Sequence, residues 1–379
     1  MKRLLWIGLI ILSLGCARLA DAQDDEPWTC DGGPNDILQA AKTAYEADDL
    51  DLAYQLISEG EALCVEDVPR TMGAMALLTD IENRRLGAVP TPGKIRPTFD
   101  GVAYLPDARP DQVLDIFIKG TPAAPQPAVI LFRGYSISHE DIGRKAITFA
   151  GAGYTAVIVE YREPLLHGYW SALEDGFCAV AWIHANAAEY SIDPNRILLL
   201  GFSQGGMLAS TIGAADDPAL FMQNCPSPVP AEGFASAVAV WGASILAPVA
   251  DDNLRLTVDL TLGYQIEESD TLALINDLAA TPSQGWRDQT TWSAETEHIA
   301  QTMPLYWIDG SEPPFLIIHS PADEVVPLAE AETLAAALQN AGVAVDFEQP
   351  ANLTHKDLFY DMATIKTTIA YANQIFGME

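Results

Sequence analysis

The feature that most constrains this chain is a series of short apolar runs, each followed by a segment of helical length. Val129-Ile130-Leu131-Phe132 and Ile197-Leu198-Leu199-Leu200 carry no polar residue on either alternate face. A strand has that pattern when both of its faces are covered, the condition of a parallel sheet lying between two helical layers. Strands are expected at 113–118, 128–132, 156–161, 196–201, 235–241, 315–319 and 343–348. Helical patterns fall between them, near 140–152, 171–190, 204–214, 328–341 and 357–376. The expected fold class is α/β, a doubly wound and mostly parallel sheet whose ligands bind beyond the carboxyl ends of the strands.

Two segments stand outside this alternation. From about 244 to 308 there are helical patches and no clear strand, so a helical cap insertion is expected over the carboxyl edge of the sheet. Its Trp286, Trp292 and Trp307 either line a pocket or form the cap's own core. Nearer the start, Ile37, Leu38, Ala41, Ala44 and Tyr45, then Leu52, Ala53, Leu56, Ile57 and Leu63, recur at helical spacing around a turn at Ala47-Asp48-Asp49. A small helical hairpin is expected across 27–90, as an extra packed layer or as a surface for a protein partner. A Pro/Gly-rich linker follows, and the main domain is expected across 98–379.

The first 22 residues read as an export signal. Lys2 and Arg3 precede an apolar stretch at 4–14, and Ala20-Asp21-Ala22 is a small-x-small cleavage site. A lipid anchor at Cys16 is the alternative; Ser13 stands where such signals usually carry Leu. Either way the expected location is secreted, periplasmic or at the cell surface, without membrane insertion. Four cysteines remain after cleavage. An antiparallel hairpin brings Cys30 near Cys64, so these two are expected to pair. Cys178 and Cys225 form a second disulfide, or Cys178 is a buried free thiol. The formal charge of -32 argues against nucleic acid, anionic membranes and strongly anionic substrates, because phosphate binding needs clustered Lys and Arg. No cysteine or histidine spacing has the form of a zinc site, so no metal and no cofactor is expected.

The chemistry is carried by Gly201-Phe202-Ser203-Gln204-Gly205, which follows an apolar strand and opens a helix of small residues. A sharp strand-to-helix turn exposes Ser203 as a nucleophile, and its neighbours must be small. The amide of Gln204, at the positive end of the helix, suits an oxyanion. A serine nucleophile needs a base. Of the six histidines only His355 lies after the last strand, where the chain order nucleophile–acid–His requires it. His184 is mid-helix, and His319 ends a strand too early. The acid belongs to the loop after the preceding strand, where Asp323 is the choice and Glu324 is expected to face solvent. The second oxyanion donor is expected from Arg133-Gly134-Tyr135, at the amide of Tyr135.

These residues, with Glu160-Tyr161-Arg162, Ala172-Leu173-Glu174-Asp175, Trp182-Ile183-His184-Ala185-Asn186-Ala187, Ile192-Asp193-Pro194-Asn195-Arg196-Ile197 and the segment 319–327, resemble the α/β-hydrolase esterases of the acetyl-hydrolase and feruloyl-esterase-like branch across 100–379. The resemblance implies that fold, a serine triad and hydrolysis of a small-molecule carboxylic ester. Two positions depart from the family: Phe132-Arg133-Gly134-Tyr135 stands where His-Gly-Gly-Gly is usual, and Gln204 follows the serine as in phospholipase and acyl-thioesterase relatives. A peptidase on the same fold, or a binding protein that keeps the fold without catalysis, are the other readings.

Overall fold

The computed structural model describes residues 37–47, 49, 52–53, 55–56, 96–135, 137, 139–243 and 292–378. The chain divides into two compact units, 1–74 and 75–379. The expected signal, the Cys30–Cys64 pair, most of the linker and cap residues 244–291 lie outside the described residues.

In the first unit, helix α1 (Ile37–Glu46) buries Ile37, Ala41 and Ala44, as the apolar spacing implies. The expected turn follows it. Asp49 then caps the next helical residues, its carboxylate accepting from the amide of Leu52. Leu52 itself is exposed, whereas Ala53 and Leu56 are buried.

The second unit is built on one eight-stranded sheet: β1 (Phe99–Ala103), β2 (Val113–Phe117), β3 (Gln126–Phe132), β4 (Thr155–Val159), β5 (Ile192–Phe202), β6 (Ala237–Trp241), β7 (Phe315–Ile318) and β8 (Val345–Glu348). Their spatial order is β1-β2-β4-β3-β5-β6-β7-β8. Pairing is parallel from β4 through β8, and only β2 runs against its neighbours. Alternate residues of the apolar runs enter different cores. Ile130, Phe132, Ile197 and Leu199 join one cluster, while Val129, Leu131, Leu198 and Leu200 join the other.

The first cluster is closed by helices α4 (Tyr169–Ala185), α5 (Gln204–Ala214), α6 (Ala294–Gln301), α7 (Pro304–Trp307) and α8 (Leu328–Ala341). The second is closed by α2 (His139–Gly151), α9 (His355–Tyr360) and α10 (Met362–Ile375), and α3 (Pro164–His167) is a single turn ahead of α4. At roughly 25 cal/mol per Å² of apolar area, a two-sided core of this kind is the main driving force for the unit.

Three local outcomes differ from the pattern. β1 was not expected; its residues are mostly exposed, so no apolar run marks it. The single helix expected over 357–376 is two, because Asp361 leaves the helical conformation and its carboxylate caps the amide of Thr364. Of the two alternatives for Cys178, the disulfide with Cys225 is the one found, with Cα atoms 5.1 Å apart. The described part of the cap region is core. Trp307 is buried, its indole donating to the carbonyl of Gln301, and Trp292 packs against the first cluster.

Candidate active site

Each expected site residue lies at or just beyond the carboxyl end of a strand. Ser203 occupies the turn between β5 and α5 with φ 55° and ψ −123°, a region costly for any residue with a Cβ. The backbone around it is packed to the limit. A Cβ on Gly201 would collide with the carbonyl of Gly205, and one on Gly205 with the carbonyls of Phe132 and Arg133. The amide of Ser203 donates to the carbonyl of Trp241 at 3.0 Å, which fastens the turn to the end of β6. Gln204 is the first residue of α5, where a helix has no carbonyl of its own to offer the amide.

Asp323 and His355 are in direct contact. The Oδ2 of Asp323 accepts from Nδ1 of His355 at 2.7 Å; the carboxylate is fully buried and the imidazole is 12% exposed. The other oxygen, Oδ1, accepts from the amides of Val325 and Val326 at 2.9 and 2.8 Å. Burial alone would raise the pKa of Asp323. The His355 hydrogen bond and the two amides outweigh that and hold it below the ordinary carboxylate value. His355 is the first residue of α9 rather than part of a loop, and Thr354 with Asp357 forms a capping box around it. Gly242, with φ +51°, makes room for the pair, since a Cβ there would meet Asp323, His355 and Leu358 at 3.2–3.3 Å. The imidazole of His355 lies against the ring of Phe202, 4.8 Å between centroids, which brings it beside the Ser203 turn.

Glu324 is exposed, as expected, and still has a partner. Its carboxylate accepts from the backbone amide of His355 at 3.1 Å, so both acids of the loop after β7 hold the same residue. His319 is buried beside them. Its Nε2–H donates to the carbonyl of Val326 at 3.0 Å and sits 3.6 Å from Oδ2 of Asp323, while Nδ1 has no partner among the described residues. Burial keeps its pKa below the ordinary histidine value. His184 lies in the last turn of α4 rather than mid-helix, because the helix ends at Ala185, and it sits near the carbonyl of Phe234.

The loop after β3 reaches the Ser203 turn through Gly134, where a Cβ would stand 3.0 Å from that of Ser203 and closer still to Phe202. Tyr135 follows in the turn, half-buried. Where the family has His-Gly-Gly-Gly, Arg133 is held by two carboxylates: Nε to Glu160 at 3.2 Å and Nη1 to Glu163 at 3.4 Å. Burial would lower the pKa of Arg133, but these two charges outweigh it and raise it. The guanidinium lies 5.4 Å over the ring of Tyr161, whose hydroxyl donates to the carbonyl of Arg133 at 2.6 Å. The side chain of Gln204 donates to Glu163 at 3.0 Å. Sequence reasoning missed Glu163 and the part played by Arg133; the signal available was an arginine flanked by two small or apolar positions with acids at 160 and 163. The neighbouring Arg162 has a different task, gripping the buried Asp175 of α4 through both of its oxygens.

Residues 114–338, more than half of the chain, match the family model described as BD-FAE. The chain belongs to the BD-FAE family. Over 235 residues this BD-FAE member is 24% identical to the esterase LipC of Mycobacterium tuberculosis, covering 59% of this chain and 51% of LipC. Over 92 residues it is 32% identical to the carboxylesterase NlhH of the same species, covering 23% of this chain and 28% of NlhH. The chain thus spans about half, or less, of the length of the curated relatives it matches. Its backbone is similar to that of the thermophilic esterase Est2 of Thermogutta terrifontis with butyrate bound, at 20% identity and a TM-score of 0.51, covering 69% of this chain and 88% of that one. It is also similar to a truncated carbohydrate esterase from gut microbiota, at 18% identity and a TM-score of 0.53, covering 75% and 98%. The α/β-hydrolase fold expected from the motifs is the fold of this BD-FAE chain.

Proposed function

We propose that the protein is an exported serine hydrolase that cleaves a small or carbohydrate-linked carboxylic ester through an acyl-enzyme. The observation that carries this reading is the buried Asp323 carboxylate 2.7 Å from Nδ1 of His355, beside a turn that holds Ser203 at φ 55°. With Nδ1 committed to Asp323, Nε2 is the nitrogen that takes the Ser203 hydroxyl proton as Oγ attacks the carbonyl carbon. The negative oxygen of the tetrahedral intermediate is stabilised by the amides of Gln204 and Tyr135. Collapse breaks the ester C–O bond, and His355 returns the proton to the departing alcohol. Water then attacks the acyl carbon, giving its proton to His355; the acid leaves and Ser203 recovers its hydrogen. Asp323 stays ionised throughout and steadies the imidazolium.

Membership of the BD-FAE family and the esterase names of the curated relatives support the reaction class. Export is supported by the basic, apolar and small-residue order of the first 22 residues and by the Cys178–Cys225 disulfide, a bond favoured outside a reducing cytosol. The charge of -32 favours an uncharged ester and repels the carboxylate product.

The test is hydrolysis of short- and long-chain nitrophenyl esters and of acetylated sugars by wild type and Ser203→Ala, with fluorophosphonate labelling. Turnover and labelling at Ser203 are expected in the wild type alone. A wild type that neither turns over any of these esters nor takes the label would sink the reading.

A further inference from the structure

The two amides assigned to the oxyanion belong to separate segments, the loop after β3 and the first turn of α5. Their separation must stay fixed while charge develops on one oxygen between them, and neither amide can be held at its own nitrogen without losing its function. One side chain joins the two segments. Glu163 is mostly buried, and its carboxylate accepts from the Gln204 side chain through Oε1 at 3.0 Å while meeting the Arg133 guanidinium through Oε2 at 3.4 Å. Arg133 in turn is the residue just before Gly134, and its own carbonyl is fastened by the Tyr161 hydroxyl. The backbone of Glu163 is fixed as well. It precedes Pro164, which confines it to extended conformations, and its carbonyl accepts from the amide of His167 at 3.0 Å as α3 begins.

We propose that Glu163 is a positioning residue, whose single carboxylate sets the separation of the Tyr135 and Gln204 amides; this rests on the esterase reading above. It touches neither the ester nor Ser203. A donor aimed at the oxyanion matters in the transition state far more than in the bound substrate, so a displaced donor lowers kcat and leaves KM nearly unchanged. Outright removal of such a donor costs about 10²–10³ in kcat, and misplacement costs less.

The experiment compares wild type with Glu163→Gln, Glu163→Ala, Gln204→Met and the double variant Glu163→Ala/Gln204→Met. Rates are normalised to the Ser203 sites that a fluorophosphonate labels, so misfolded protein does not count. Glu163→Gln should lose roughly 5-fold in kcat and Glu163→Ala roughly 30-fold, each with KM within about 3-fold. Affinity for a boronic acid, which becomes tetrahedral on Ser203, should fall in step with kcat/KM. Gln204→Met keeps its amide but loses the link, so its loss should not add to that of Glu163→Ala. Unchanged kcat per labelled site in Glu163→Ala, even with a lower Tm, overturns the proposal, and so do losses that multiply in the double variant. An inert, unlabelled wild type would instead overturn the hydrolase reading beneath it.

Discussion

The turn after β5 and the loop after β3 meet at the candidate site, yet they are held in opposite ways. In the turn, Gly201 and Gly205 let main chain touch main chain, and nothing larger fits. In the loop, Arg133 is tied by Glu160, Glu163 and the Tyr161 hydroxyl, groups 27 to 30 residues further along the chain. The first is fixed by excluded volume and the second by charge in a poorly solvated place. Excluded volume is unforgiving and insensitive to solution conditions. Paired charge tolerates rearrangement, and its strength depends on every partner being present.

The sharpest way to break this contrast is Gly205→Ala. The added methyl would collide with the backbone carbonyls of Phe132 and Arg133, so the end of β3 must move. A cost of at least about 3 kcal/mol is expected, lowering Tm by roughly 6–12 °C. A Tm within 2 °C of wild type would show that the turn is not closed by volume.

Next comes Arg133→Met, which leaves two carboxylates facing each other; about 1–3 kcal/mol should be lost. Arg133→Lys should recover only part of this, because one ammonium cannot reproduce separate Nε and Nη1 contacts. Full recovery in the lysine variant, measured by denaturant unfolding, would reduce the loop's fastening to net charge.

The Ser203 turn also stores strain, which the proposed role of Ser203 as nucleophile would need. Ser203→Gly should relieve it and raise Tm by a few degrees, on the order of 1 kcal/mol, while abolishing turnover. Ser203→Ala keeps the Cβ and the strain, so its Tm should stay near wild type. Equal Tm gains in both variants would deny that φ 55° is the source.

The smallest expected effect concerns a third fastening, Asp323, which is also held by charge. Its folded pKa lies below the ordinary value of 3.8, so its contribution to stability is full above that value and fades as pH falls below it. The Tm gap between wild type and Asp323→Asn should therefore narrow through loss of the carboxylate charge only under about pH 4. A gap that has not begun to narrow by about pH 3, or an Asp323 carboxyl resonance that titrates above 3.8, would mean the carboxylate is not held down by His355 and the Val325 and Val326 amides.

The same contrast explains what could be read from the sequence. Gly201, Ser203 and Gly205 were legible because a sterically closed turn restricts residue types at fixed spacing. The strands β3 and β5 were legible because burial on both faces leaves no polar position. β1 was not, since an exposed edge strand needs no apolar run. Glu163 was equally hidden: nothing in the local pattern around 160–163 says which acid meets Arg133 or Gln204. The hydrogen bond of the exposed Glu324 was hidden too, because its partner, the amide of His355, comes 31 residues later.

The sequence by itself determined the two-sided sheet, the Ser203 turn, and the order in which Asp323 and His355 follow it. These rest on local sterics and on hydrophobic periodicity, which act between near neighbours in the chain. Only the tertiary structure decided that β2 runs against the sheet, that Cys178 pairs with Cys225, that His355 begins a helix, and that Glu163 joins Arg133 to Gln204. Each of those depends on which distant groups are brought within reach. A hydrogen bond or an ion pair acts over about 3 Å, a distance that spacing along the chain does not encode.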